Sequence, residues 1–319
     1  MSDGLHSENE VSSSAITPER YPSKYSRTKT YRKTNNRLYT TCCVPTVETN
    51  GIQTYYEEYG EGPPIVFLHG AWGDHRLWAE QVQSLAKDYR IVVYDLRGHG
   101  RTGGSEADSY TIRLYVEDLN ALITTLDLES PAICGRSMGG IVALPYAATY
   151  PDTISALCTL GAKTPKAQTY GEWLERQIQP KLINTLSTVI DRDRLTAVMH
   201  RINEWRYDPR GAGDMEEIER ILQSHAEEIP ESSDEESAKI RKALELYSSA
   251  SIDYSSIVVP SLILYGEYEM PMIRRHAKYV GKAIPHAETG QIPNAGHVST
   301  VDNPEFVIKS LGEFFASSF

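Results

Sequence analysis

The sequence predicts an α/β fold with a mostly parallel central sheet flanked by helices. Three observations carry that expectation. Short apolar runs recur along the chain, and stretches with helical spacing alternate with them. Gly- and Pro-marked turns separate the two kinds of segment. One stretch of roughly 90 residues, about 163–255, breaks the alternation with helical patterns alone, as an inserted cap does.

Residues 46–49 and 52–59 read as a hairpin, because Asn50-Gly51 supplies the favoured two-residue turn. Residues 65–68 follow Pro63-Pro64 as a continuous apolar run, the mark of a strand buried on both faces. A helix over 77–85 and a strand over 91–94 come next. Residues 111–126 form an amphipathic helix in which Leu114, Asp118 and Leu122 stand four apart. A strand over 132–134 follows Pro131, and a helix over 138–149 carries Pro145, which should bend it. Strands over 154–160, 261–265 and 287–292 complete the sheet. In the insertion, helices are expected over 172–190, 193–205, 215–226 and 235–247. The organisation is therefore an extension over 1–45, a core over 46–162 and 256–319, and a cap over 163–255.

Composition narrows the function classes. The net charge is −11, against the basic surface that nucleic acid requires. Residues 1–45 hold seven Lys/Arg against four Asp/Glu, which leaves 25 against 39 for the remainder, a balance of −14. The extension has thirteen Ser/Thr and no Phe or Trp. Such a segment buries too little to offset ordering, so it reads as a disordered polar arm. Its basic stretch, with Tyr21, Tyr25 and Tyr31, is alternatively an arm for an anionic partner. No apolar run is long enough to span a membrane and no secretory leader pattern stands at the start. Cys42, Cys43, Cys134 and Cys158 do not suggest a disulfide framework. A cytoplasmic setting is the expectation. No His/Cys spacing suits a metal, and neither a phosphate loop nor a strand-linked G-x-G-x-x-G is present, so no cofactor is expected.

The sharpest motif is Gly135-Arg136-Ser137-Met138-Gly139, followed by Gly140, at a strand-to-helix junction. G-x-S-x-G in that context presents a serine on a tight turn, with the following helix N-terminus facing developing negative charge. Further motifs follow strands in order: His69-Gly70-Ala71-Trp72-Gly73, Asp95-Leu96-Arg97-Gly98-His99-Gly100, and Asn294-Ala295-Gly296-His297 with Asp302-Asn303-Pro304 beyond. Over about residues 46–319 this set resembles the α/β-hydrolase fold family, of the type with a helical cap.

The resemblance implies a triad. Ser137 takes the place of the nucleophile and His297 that of its base. The acid position holds Glu269, where the family commonly has Asp, with Glu267 as the fallback. The oxyanion hole falls to the backbone N–H groups of Ala71 and Met138. His69 and His99 are expected to brace loops through hydrogen bonds. Trp72, Arg136, Trp173 and Trp205 are candidate substrate contacts. For Trp173 and Trp205 core packing in the cap is the expectation, and for Arg136 an internal ion pair supporting the turn. The implied activity is cofactor-independent hydrolysis of a small-molecule carboxylic ester or lactone through an acyl-enzyme. Carbon–carbon bond hydrolysis, cofactor-free perhydrolysis and a non-catalytic ligand receptor remain as alternatives. Substrate identity and oligomeric state are not legible.

Overall fold

Asn50 and Gly51 both take positive φ (44° and 79°), and around them β1 (Thr46–Thr49) and β2 (Ile52–Tyr59) pair antiparallel. The computed structural model in which this is seen describes residues 45–174, 176, 178, 209–223 and 232–319. The chain divides into two units, Met1–Cys43 and Val44–Phe319, and all described residues belong to the second. β3 (Pro64–Leu68), β4 (Arg90–Tyr94), β5 (Ala132–Arg136), β6 (Ala156–Leu160), β7 (Ser261–Gly266) and β8 (Ala287–Ile292) extend the sheet. Its order is β1-β2-β4-β3-β5-β6-β7-β8, with β3 to β8 parallel. The chain steps from β3 outward to β4, then returns to place β5 on the other side of β3. That reversal leaves a crevice at the strand C-termini between β3 and β5, where open α/β sheets bind ligands.

Both faces of the sheet are covered. On one, Val66, Leu68, Ile133 and Leu157 pack beneath α2 (Ile112–Thr125), α3 (Met138–Thr149) and Val280. On the other, Ile65, Phe67, Cys134 and Cys158 meet α1 (Ala79–Leu85) and Phe315. Cys134 and Cys158 are buried free thiols on adjacent strands. The expected 77–85 helix begins instead with a 3₁₀ turn, His75–Trp78, because Asp74 accepts the Arg76 N–H and caps a tighter turn. β6 starts at Ala156, after a 3₁₀ turn at Pro151–Thr153. No helix among the described residues is long and apolar enough to cross a membrane.

Between β6 and β7 the described residues contain no strand. α4 (Met215–Gln223) rests Ile218 against Leu77 and Val298. α5 (Asp234–Leu246) starts with a capping sequence, Ser233 accepting the Glu236 N–H, and buries Ile240 and Ala243. Lys239 donates to the Ser105 carbonyl (3.1 Å) and Ser232 Oγ to the Gly98 carbonyl (2.6 Å), tying this helix to the loop after β4. The expected helix over 193–205 and most of the one over 172–190 lie outside the described residues.

Asp118 interrupts the apolar stripe of α2, and the structure supplies its partner. Arg97 donates to both carboxylate oxygens, from Nε at 2.8 Å and Nη2 at 2.6 Å, and Asn50 Nδ2 adds a third bond at 2.7 Å. Both ionic groups are buried. The hairpin turn, the loop after β4 and α2 are thereby joined through one carboxylate. Removing one member of a buried pair leaves an uncompensated charge, so Asp118→Ala should lower unfolding free energy by about 3–5 kcal/mol in urea titration.

Candidate active site

β5 ends at Arg136, and Ser137 turns the chain into α3 at φ 52°, ψ −113°. A non-glycine residue in that region is strained, and here the neighbours hold it. Ser137 N–H donates to the Leu160 carbonyl of β6 (2.8 Å), and its own carbonyl accepts the Ile141 N–H (3.0 Å). The flanking glycines are steric requirements. A Cβ on Gly135 would collide with the backbone of Gly139 and Gly140, and one on Gly139 with the carbonyls of Leu68 and His69.

The loops after β7 and β8 bring two side chains to this turn. His297 Nε2 lies 2.8 Å from Ser137 Oγ, and His297 Nδ1 lies 2.8 Å from Glu269 Oε2. Glu269 is fully buried, and its other oxygen accepts the Met270 N–H at 3.0 Å. A carboxylate only accepts, so Nδ1 carries the proton and Nε2 faces the serine hydroxyl as an acceptor. Glu267 is turned elsewhere: its Oε2 accepts the Asn294 N–H at 2.9 Å. Gly161, at the end of β6, lies against the Glu269–His297 pair where a side chain would intrude.

The loop after β3 lies alongside. A Cβ on Gly70 would stand 3.2 Å from Ser137 Cβ. Neither the Ala71 nor the Met138 N–H donates to an acceptor among the described residues. His69 anchors this loop, its Nδ1–H on the Gly70 carbonyl (2.7 Å) and its Nε2 accepting the Leu96 N–H (2.9 Å). His99 donates from Nδ1 to the Arg97 carbonyl at 3.0 Å. Burial lowers both imidazoles, His99 to about 3, so both brace as neutral rings.

Asp74, His75 and Asp95 bring possible ligand atoms within 4.8 Å of one another. The donor set does not suit a cation. Asp74 receives Arg76 on both oxygens, and Asp95 Oδ1 receives both the backbone N–H and Nδ1 of His75. Burial would raise Asp95, but the adjacent His75 overrides it and holds the carboxyl down to about 2. A cavity of about 450 Å³ lies between α2, the C-terminal end of α3 and residues 246–252, far from Ser137 at the start of α3.

The remaining candidates divide. Arg136 is only 4% exposed, yet it forms no ion pair among the described residues and its Nε has no partner. The expected internal ion pair is therefore absent there. Burial holds the guanidinium down to about 10, and the carboxylates of Asp302 and Glu269 oppose this only through space. Its Nη2 lies beside Gly70, on the side of Ser137 Cβ. Trp72 is half-exposed at φ 57°. Trp173 is also half-exposed, stacked on Tyr170 at 5.5 Å, instead of packed in a cap core. On this turn it is the preceding residue, Glu172, that faces inward, to His276. Trp205 lies outside the described residues.

Sequence reasoning missed a second buried cluster. Thr164 N–H and Oγ both meet His276 Nδ1 at 2.7 Å, and His276 Nε2 donates to Glu172 Oε1 at 2.6 Å. It fastens the start of the insertion to α6 (Pro271–Ala283). His276 follows Arg274 and Arg275 directly in sequence, and the helical period, which turns it away from them, is the one local signal of its burial.

A sequence profile of the alpha/beta hydrolase fold matches residues 63–304. A pimeloyl-(acyl-carrier protein) methyl ester esterase of Vibrio atlanticus is 25% identical over 267 residues, 82% of this chain and 97% of that protein. Among solved structures, an N-acyl homoserine lactone degrading enzyme aligns at 24% identity and TM-score 0.68, covering 85% of this chain and 100% of that one. An enol-lactonase from Burkholderia xenovorans aligns at 23% and 0.64, covering 85% and 100%. The two structures share the fold with this chain.

The His276 cluster has a pH consequence. Burial, outweighing the attraction of Glu172, lowers the imidazole from its usual value. The unfolded chain then binds a proton below about pH 6.5 that the folded state refuses, so this contribution to stability is present above that pH and is lost as pH falls. Unfolding free energy should drop more between pH 7.5 and 5.5 for the parent than for His276→Asn. Equal drops would remove His276 as the cause.

Proposed function

We propose that this chain, which belongs to the alpha/beta hydrolase fold family, is a cofactor-independent serine hydrolase of carboxylic esters or lactones. The observation that carries the reading is His297 standing 2.8 Å from both Ser137 Oγ and Glu269 Oε2. A free serine hydroxyl is a weak nucleophile and needs a base within hydrogen-bond reach. Ser137 Oγ attacks the substrate carbonyl while His297 Nε2 takes its proton. Glu269 holds the Nδ1–H tautomer and stabilises the imidazolium that forms. The N–H groups of Ala71 and Met138 receive the oxyanion, donors typically worth about 3–4 kcal/mol each. Collapse of the intermediate expels the alkoxide, to which His297 returns the proton. Water, deprotonated by the same imidazole, then releases the acid and restores Ser137.

The ester preference is supported by the chemistry of the triad and by the likeness to the methyl ester esterase described above. The test is turnover of a simple acyl ester by three variants, with circular dichroism as the folding control. Ser137→Ala should lose several orders of magnitude, since triad knockouts in a serine protease cost about 10⁶. Glu269→Gln should lose about 10²–10⁴, because the amide presents its NH₂ to the ring and selects the wrong tautomer. Glu267→Gln should stay within a few-fold, its side chain being engaged with the Asn294 N–H. A crippled Glu267 variant beside an active Glu269 variant would reverse the acid assignment.

A further inference from the structure

The loop that carries His297 is gripped from the insertion. His297 N–H donates to the Gly211 carbonyl at 2.8 Å, so the residue bearing the imidazole is pinned by residues 209–214, the segment leading into α4. A second grip runs through Asp302. Its Oδ2 accepts the Gly296 N–H and its Oδ1 the Asp214 N–H, each at 2.7 Å. One carboxylate thus joins the residue before His297 to the residue before α4. The fit leaves no room for side chains: a Cβ on Gly296 would collide with the Arg210 carbonyl and with Gly213 N. The acid loop meets the same segment. Arg210 lies over the Tyr268 ring at 3.8 Å, and the Tyr268 N–H donates to the Ala295 carbonyl at 2.9 Å, one residue before Glu269. Burial raises the Asp302 carboxyl above its ordinary value, and the N–H groups of Asp214 and Gly296, with the charge of Arg136 acting through space, oppose that rise.

Two backbone N–H groups converging on two oxygens require a carboxylate. An amide offers one acceptor and would turn an NH₂ toward one of the donors. We propose that Asp302 is a positioning residue: it clamps the His297 loop onto residues 209–214, which lead into α4, and so sets the approach of the imidazole to Ser137. The kinetic part of its test rests on the serine-hydrolase reading, and the spectroscopic part does not.

The experiment compares the full-length parent with Asp302→Asn and Asp302→Glu. The first readout is the strongly deshielded proton on His297 Nδ1 in the NMR spectrum, identified by its loss in Glu269→Gln. The second is kcat and KM for p-nitrophenyl acetate, and the third is the melting temperature. Asp302→Asn should broaden or remove the deshielded proton and lower kcat by about 10–100-fold, the range a misplacement of about 1 Å produces. KM should stay within twofold and the melting transition should remain cooperative. Asp302→Glu, which keeps both acceptors, should recover the resonance and most of the rate. The clamp is overturned if Asp302→Asn keeps the resonance and kcat within twofold. It is also overturned if rate and melting temperature collapse together in both variants, which marks a purely structural role. A parent that neither turns over the ester nor reacts with a fluorophosphonate contradicts the hydrolase reading, while the deshielded proton still decides the clamp.

Discussion

Every group at the site is placed by one backbone constraint, the positive φ of Ser137 between β5 and α3. That conformation costs on the order of 1–3 kcal/mol for a residue with a Cβ. It persists because β6 takes the Ser137 N–H, α3 takes its carbonyl, and glycines at 135 and 139 let strand, helix and the loop after β3 close around it. The parallel register does the rest. Leu68 of β3 lies beside Gly135 of β5, so the His69-Gly70 loop emerges next to the serine. The strand order then puts the β7 and β8 loops on the other side, from which His297 reaches back over β6.

Around that turn, carboxylates serve as connectors between loops. Asp118 joins α2 to Arg97 and Asn50, and Asp95 joins the loop after β4 to His75. Glu172 ties the chain after β6 to α6 through His276, and Asp302 ties the residue before α4 to the His297 loop through Asp214 and Gly296. Each accepts from two or more donors or from a cation, which is what allows a charge to sit inside a protein. The segment between β6 and β7 is therefore tied to α6 and to the His297 loop by ionic groups at two separate points.

How much of this was legible follows from the range of each interaction. Strands were legible because a strand buried on both faces must be a short apolar run. The serine turn was legible because its steric demands fall on consecutive residues. Glu269 and His297 were reachable only through the resemblance, since nothing local pairs residues 28 apart. Partners distant in sequence were invisible: neither Arg97 for Asp118 nor Glu172 for His276 leaves a periodic trace. Arg136 shows the opposite limit. A buried guanidinium was expected to find a carboxylate within contact distance, but the nearest ones already accept from His297, Gly296 and Asp214.

The central claim is covalent catalysis at Ser137, and it is tested most directly by mass spectrometry of the protein quenched during turnover of an activated ester. The account predicts a mass increase equal to the acyl group, located on the peptide containing Ser137 and absent in Ser137→Ala. Product formation with no adduct on that peptide, or an adduct on another residue that forms and decays at the turnover rate, would contradict it.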